Sequence, residues 1–458
     1  MKDNNYILQY YQAISDGSEN VGKLIKLAYE YVLDGLQDHS FYYNHKKAIR
    51  PIRFMESFVH HSKGKTGLLK LELWQKAFLS CVFGLVNGED LRQFKEIVLS
   101  TGRKSGKTLL ISGIADYILY CDDDYGKEIY FTATKKEQAE LCYSAFYQTI
   151  LKEPELRRLI MKRRSDVYLP STNSSAKMLT SNYTTADGLN SSLNVCDEFA
   201  AWKGTQGLNL YSTLTSGTLS RKEPLTIAIS TANRVNDGVY DTLYTRSTRL
   251  LMGGSEETAF LPFIYQIEDL SKWNDINELK KANPNLGVSI PVKTILEEIQ
   301  KAEGDPQAKN EFLVKVANVK QNASTAWIST GDIKKTEGHH LKLEDFKDKY
   351  CVVGIDLSQT TDLTCALVVI EKGGELYVFA RFWLPAEKID ECTARDGVPY
   401  QIYIQRGLLF PSGDNFVDYH DCFNWFVGIV EEYQLFPLQV GYDRYSADYL
   451  TQDMKNYG

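Results

Sequence analysis

The sequence predicts an α/β protein with two chemically distinct parts: a nucleotide-binding domain on a mostly parallel sheet, then a second sheet domain. Three observations carry this. Residues 96–110 read EIVLSTGRKSGKTLL, an apolar strand that turns through a Gly/Lys/Ser loop into an apolar helix. Residues 191–198 end a second apolar run in two adjacent acids, Asp197 and Glu198. Beyond residue 349, two further apolar runs each stop at an aspartate, Asp356 and Asp443.

Size and composition bound the rest. At 458 residues the chain is too long for one core, and its length suggests roughly three domains. Its 43% hydrophobic and 12% aromatic content is enough to fill such cores, so a globular chain is expected. The longest mostly apolar segment, 108–120, carries Asp116 and is too short to span a bilayer. No signal-peptide apolar region follows the start, so an intracellular protein is expected. The eight cysteines are scattered without C-x-x-C or zinc-ligand spacing and read as small core residues in a reducing compartment. A net charge of −7 gives no overall attraction to nucleic acid and leaves that role to local basic groups. Two such groups exist: Lys46, Lys47, Arg50 and Arg53, and then Arg157, Arg158, Lys162, Arg163 and Arg164. Either alone reads equally as a solvated helix face.

Along the chain, residues 1–70 alternate apolar and charged positions at helical spacing and predict a helical lead-in. In Leu73-Trp74-Gln75-Lys76, an amide beside an aromatic precedes the phosphate loop. Gln75 is placed to read an adenine edge, or else to sit at the rim of an amphipathic helix. In the loop, Gly106-Lys107-Thr108 fits the G-K-[ST] ending: backbone N–H groups and Ser105 cradle phosphate, Lys107 reaches the outer oxygens, and Thr108 meets Mg²⁺. The opening glycine of that motif is replaced by Thr101.

Residues 128–134 predict the next strand and 141–151 its helix, which is βαβ logic and implies a parallel sheet. Asp197 is then placed to hold Mg²⁺ and Glu198 to activate water, with ATP as the substrate. Residues 225–229 predict a strand that delivers Ser230, Thr231 and Asn233 to the same end of the sheet, beside a γ-phosphate or in an ordinary turn. From 261 to 348 the pattern changes to helices and loops, broken at Gly304-Asp305-Pro306, with 332–348 as a polar linker. The domain boundaries expected are therefore 1–70, 71–260, 261–348 and 349–458. In the last of these, 350–356, 363–370 and 376–383 predict a β-meander that turns at Gly373-Gly374. Asp356 and Asp443, each at a strand end, are placed to share Mg²⁺ or Mn²⁺ ions about 4 Å apart, or else to form turns.

Taken together in order, these motifs resemble the large terminase subunit of tailed bacteriophages, in the HK97-like siphophage branch. The matching text includes His61-Ser62-Lys63-Gly64-Lys65, Trp74-Gln75, Gly102-Arg103-Lys104-Ser105-Gly106-Lys107-Thr108 and Asp187-Gly188-Leu189-Asn190 before Asp197-Glu198. It continues through Asp237-Gly238-Val239-Tyr240-Asp241, Ala282-Asn283-Pro284-Asn285 and Gly354-Ile355-Asp356. The resemblance implies an ASCE-type P-loop ATPase followed by an RNase H-like nuclease. Together they drive viral double-stranded DNA into a capsid and cut concatemers. It implies Gln75 on the adenine side, Arg103 as part of a deviant P-loop, Ser230, Thr231 and Asn233 as a coupling motif, and Asp362 as an auxiliary metal acid beside Asp356 and Asp443. It further implies a trans-acting arginine, with Arg157, Arg158, Arg163 and Arg164 as candidates. The partners it implies are a portal protein, a small terminase subunit and other copies of the chain in a ring, with no membrane. The place implied is the cytoplasm of the infected host, transiently on the procapsid and not in the mature virion.

Two departures qualify the resemblance. Phe199-Ala200-Ala201-Trp202 replaces a more polar segment after the paired acids. No third metal acid is visible before Gly458, so the nuclease is expected to be incomplete. Two rival readings stay open on sequence alone: a helicase or restriction-type translocase, and an inactive P-loop scaffold.

Overall fold

The computed structural model describes residues 5–457 except 63, 65, 180–187, 236–237, 322–335, 337–340, 359–361, 397 and 443–447. It divides into two compact units, Met1–Trp327 and Ile328–Gly458.

The first unit is built on an eight-stranded sheet. A two-stranded ribbon of β1 (Tyr42–Tyr43) and β2 (Leu85–Val86) lies apart from it. The sheet strands are β3 (Glu96–Ser100), β4 (Glu128–Thr132), β5 (Met161–Lys162), β6 (Asp166–Leu169), β7 (Ser174–Leu179), β8 (Leu193–Asp197), β9 (Leu225–Ser230) and β10 (Phe260–Ile264). Their order is β10-β3-β9-β8-β4-β7-β6-β5. The run from β10 to β7 is parallel, and β6 and β5 close the far edge antiparallel. One strand, β9, therefore separates the loop-bearing β3 from the acid-bearing β8, as in ASCE-type ATPases. The central strands read as continuous apolar runs because both faces are covered, and Ile97, Val98, Leu99, Val195, Ile227 and Ile229 are all buried.

Two expected boundaries look different in three dimensions. The lead-in helices Tyr6–Ser15, Lys23–Gln37 and His45–Phe58 send Tyr10, Tyr29 and Met55 into the same core as Ile97, Leu99 and Phe263. Tyr29 stands between Tyr10 and Phe263, with ring centroids 5.1 and 5.7 Å away. The boundary expected at 260 falls at the first residue of β10, which borders β3 at the sheet edge. That edge position accommodates Pro262, which has no N–H for a ladder. After β10 the helices Ile276–Lys280, Val292–Gly304 and Pro306–Lys315 enclose a small core of their own around Trp273, Leu279, Ile295 and Phe312.

The second unit carries β11 (Tyr350–Asp356), β12 (Thr364–Lys372), β13 (Glu375–Pro385), β14 (Phe410–Ser412) and β15 (Phe436–Tyr442) in the order β14-β13-β12-β11-β15. The meander β11-β12-β13 is antiparallel, and β15 joins β11 in parallel. This is the RNase H-like arrangement. One face of the sheet, with Val353, Ile355, Ala366, Val368 and Ile370, packs with Cys422, Phe426 and Ile429 of the helix Tyr419–Glu431. The tight turn at Gly373-Gly374 has both glycines at positive φ, 67° and 84°, which a side chain would strain. All eight cysteines are free.

Candidate functional site

The loop after β3 is shaped by which of its residues adopt left-handed backbone. These are Lys104 (φ 67°) and Gly106 (φ 83°), and Thr101 is not among them. A threonine is therefore tolerated where the motif ordinarily has glycine. The helix Lys107–Cys121 follows with no side-chain cap on its first turn, so its N–H groups remain available for an anion. The other end of the loop is already bonded. Gly102 N–H donates to the Ala282 carbonyl (2.9 Å) and Arg103 N–H to that of Lys315 (2.7 Å). Asn285 donates from Nδ2 to the Ser105 carbonyl (2.8 Å) and accepts at Oδ1 from Trp74 Nε1–H (2.7 Å), while Ser289 Oγ donates to the Lys104 carbonyl (2.8 Å). A Cβ on Gly102 would meet Asn283 Oδ1 at 2.1 Å, so that position admits only glycine.

Lys107 is buried and its ammonium lies folded onto the loop. It donates to the carbonyls of Thr101 (2.8 Å) and Gly102 (3.1 Å), to Thr101 Oγ1 (3.2 Å) and to Thr231 Oγ1 (3.1 Å). Burial lowers its pKa to about 8 against the pull of Glu198 and Asp197. Asp197, at the end of β8, is only 9% exposed, and burial together with the neighbouring Glu198 raises its pKa to about 7. It accepts the Glu198 N–H at 2.9 Å. Asp197 thus offers a buried carboxylate, and Thr108 lies in the first turn of the helix Lys107–Cys121. Two hard oxygen donors of this kind fit a divalent metal ion. Glu198 adopts a left-handed backbone (φ 49°, ψ 44°), an uncommon conformation for this residue type that re-aims its side chain out of the strand direction. Ser230 Oγ donates to Glu198 Oε2 at 3.3 Å.

Phosphate loop, paired acids and the end of β9 thus meet at the carboxyl edge of β3, β8 and β9. Of the other expected residues, Gln75 is buried. Its Oε1 accepts the Glu72 N–H (2.9 Å) as a helix cap, and its Nε2 lies 3.9 Å from where a Gly106 Cβ would stand. Arg103 is exposed. Asn233 Oδ1 accepts the Arg234 N–H (2.7 Å), so its carboxamide is occupied by its own turn. The apolar segment after the acids serves as a buttress. Trp202 is fully buried and donates Nε1–H to the Asp197 carbonyl (3.2 Å), and Phe199 stacks on Tyr240.

In the second unit Asp356 ends β11 opposite Cys365, exposed, and Asp362 is exposed nearby. The loop between them is tied where it is described: Ser358 N–H and carbonyl both bond Thr364 Oγ1 (3.1 and 2.7 Å), and Asp362 N–H donates to Ser358 Oγ (3.1 Å). Ile355 lies opposite Tyr442, so β11 and β15 end together. Asp443 lies outside the described residues, and among those described no three His, Cys, Asp or Glu side chains converge as a metal site. Exposed carboxylate oxygens suit hard divalent cations. No helix among the described residues is long and apolar enough to cross a membrane.

Two family profiles match the chain: the ATPase domain of the terminase large subunit over residues 73–249, and its endonuclease domain over 255–457. The chain belongs to the terminase large-subunit family. It carries both of the family's activities, ATPase and endonuclease. It is 25% identical over 424 residues to the terminase large subunit of Enterobacteria phage HK97, covering 89% of this chain and 79% of that protein. It is 23% identical over 399 residues to that of Lactococcus phage p2, covering 84% and 71%. The crystal structure of the HK97 large terminase superimposes with a TM-score of 0.53 at 23% identity, over 90% of this chain and 83% of that one. This terminase chain therefore combines DNA packaging and cleavage, and the helicase and scaffold readings are not favoured.

Sequence reasoning missed the residues that hold the terminase loop in place, Ala282, Asn285, Ser289 and Lys315, and the one that ties the neighbouring strand ends, Asn318. Ala282-Asn283-Pro284-Asn285 was visible as part of the resemblance, with no role attached. Asn318 had no local signal, because its partners lie far away in sequence.

Proposed function

We propose that ATP hydrolysis in the first unit drives viral double-stranded DNA into a capsid and that Asp356, Asp362 and Asp443 cut it. The observation that carries the ATPase assignment is the meeting of Lys107, Asp197, Glu198, Ser230 and Thr231 at one edge of the sheet. Lys107 leaves its carbonyl partners to bind the β/γ-phosphates, assisted by the loop N–H groups, Ser105 and Arg103. Gln75 offers its amide to the adenine side. Asp197 and the Thr108 hydroxyl would hold Mg²⁺, which would supply charge neutralisation at the phosphate. Glu198 orients the attacking water and takes its proton. Ser230 and Thr231 sense the outcome, since each touches a charged catalytic group, and Asn233 shapes the turn that follows.

In the second unit the three aspartates would hold Mg²⁺ or Mn²⁺, whose chemistry when bound would be to supply an activated water for phosphodiester cleavage. Among the four candidate arginines, Arg158 pairs with Glu155 (3.1 Å), and Arg163 pairs with Asp166 (3.7 Å) while lying 3.4 Å over the Tyr168 ring. Arg157 and Arg164 are exposed and have no such partner among the described residues. We favour Arg164, at the turn of the β5–β6 hairpin, as the arginine that completes a neighbour's site in a ring of copies. A portal protein and a small terminase subunit are the further partners proposed, in the host cytoplasm and on the procapsid.

The test is Glu198→Gln. ATP turnover is expected to fall about a thousandfold while nucleotide binding is kept. Normal phosphate release by that variant would remove Glu198 from the role.

A further inference from the structure

Asn318 is fully buried, in a left-handed conformation (φ 54°), just after the helix Pro306–Lys315. Its side-chain amide joins the ends of three sheet strands. Nδ2 donates to Ser100 Oγ at the end of β3 (3.0 Å) and to the Tyr265 carbonyl just past β10 (2.6 Å). Oδ1 accepts the N–H of Ala232, just past β9 (2.7 Å). Ala232 follows Ser230, whose hydroxyl contacts Glu198, and Thr231, whose hydroxyl contacts Lys107. Asparagine suits this position twice over. It tolerates left-handed backbone, and it offers donor and acceptor from one planar group.

Ala232 N–H is buried, so losing Oδ1 would leave it unsatisfied and free the turn to shift. Such a shift would move Ser230 and Thr231 relative to Glu198 and Lys107, and it meets the phosphate loop at its first residue, Thr101, whose N–H donates to the Ser230 carbonyl (3.2 Å). Nucleotide binding, which depends on that loop, has its own braces at Ala282, Lys315 and Asn285. Fixing the turn and fixing the loop from Gly102 to Ser105 are thus given to different residues.

We propose that Asn318 is a positioning residue of the ATPase: it fixes the turn after β9 against β3 and so sets the alignment of Glu198 and Lys107 for turnover. This rests on the ATPase reading above. The discriminating variant is Asn318→Gly, which keeps the left-handed backbone accessible and deletes only the amide. In the full chain, kcat for ATP is expected to fall about tenfold, about the effect of one misplaced hydrogen bond, with KM and ADP affinity within about twofold of wild type. Asn318→Asp keeps the acceptor for Ala232 but sets a second acceptor against the Tyr265 carbonyl, and it serves if the glycine variant does not fold. It too should lose kcat and keep ADP affinity.

Glu198→Gln is measured alongside. An unchanged kcat in a folded Asn318 variant, or a parallel loss of kcat, KM and ADP affinity, overturns the inference while the Glu198→Gln result stands. Normal turnover by Glu198→Gln removes Glu198 from the role and overturns this inference with it.

Discussion

The two acid sites of this terminase chain are built on opposite principles. At the proposed ATP site Asp197 is buried, its pKa raised by burial and by Glu198, and Glu198 in turn is contacted by Ser230 at the end of β9. At the proposed nuclease site Asp356 and Asp362 are exposed on a strand end and its loop. A buried carboxylate costs free energy until a cation arrives, so metal and nucleotide binding are linked to its proton. An exposed one meets solvent first and waits for metal and DNA together.

The largest effect expected separates the two sites outright. Asp356→Asn should lower plasmid cutting by about a thousandfold, the several kcal/mol that metal-assisted stabilisation supplies. ATP turnover should be unchanged, and a joint loss would show that the sites are not independent. Next, Arg164→Ala should lower DNA-stimulated ATP turnover by about a thousandfold in the assembled motor, the range for an arginine supplied in trans. Recovery of activity when it is mixed with Glu198→Gln subunits would support action on a neighbour. An Arg157→Ala variant with that behaviour, in place of Arg164→Ala, would move the assignment.

The pH profile sharpens the contrast. Below about 7 Asp197 binds a proton that a metal ion must displace, and above about 8 Lys107 loses the charge that attracts phosphate. ATPase kcat/KM should therefore fall about tenfold per pH unit on each side of that window. A flat profile from pH 6 to 9 would contradict the burial argument. The smallest effect concerns the brace. Asn285→Ala leaves Trp74 Nε1–H without its acceptor, and should cost about 1–3 kcal/mol of stability, read as a lower Tm. It should also weaken ATP binding more than kcat, the reverse of Asn318→Gly.

How much of this was legible in the chain follows from distance. The strands β3, β4, β8 and β9, the Lys107 loop and the paired acids announce themselves by local pattern, because buried parallel strands are apolar runs and a phosphate loop needs small and cationic residues in sequence. The meander β11-β12-β13 was equally plain from its alternation and its Gly373-Gly374 turn. β6, β7 and β10 escaped notice. β10 is an edge strand interrupted by Pro262, and β7 (SSAKML) has too few apolar residues to stand out.

What the sequence by itself determined was the chemical inventory and its order: a phosphate loop, two adjacent acids, a polar strand end, and two strand-end aspartates. Tertiary structure alone decided which distant groups hold that inventory in register. Trp74 and Asn285 brace the loop, and Asn318 ties three strand ends, through hydrogen bonds that span up to 218 residues of chain. Local propensity carries no trace of such bonds. They exist only because burying the core brings those backbone groups together and leaves them needing partners.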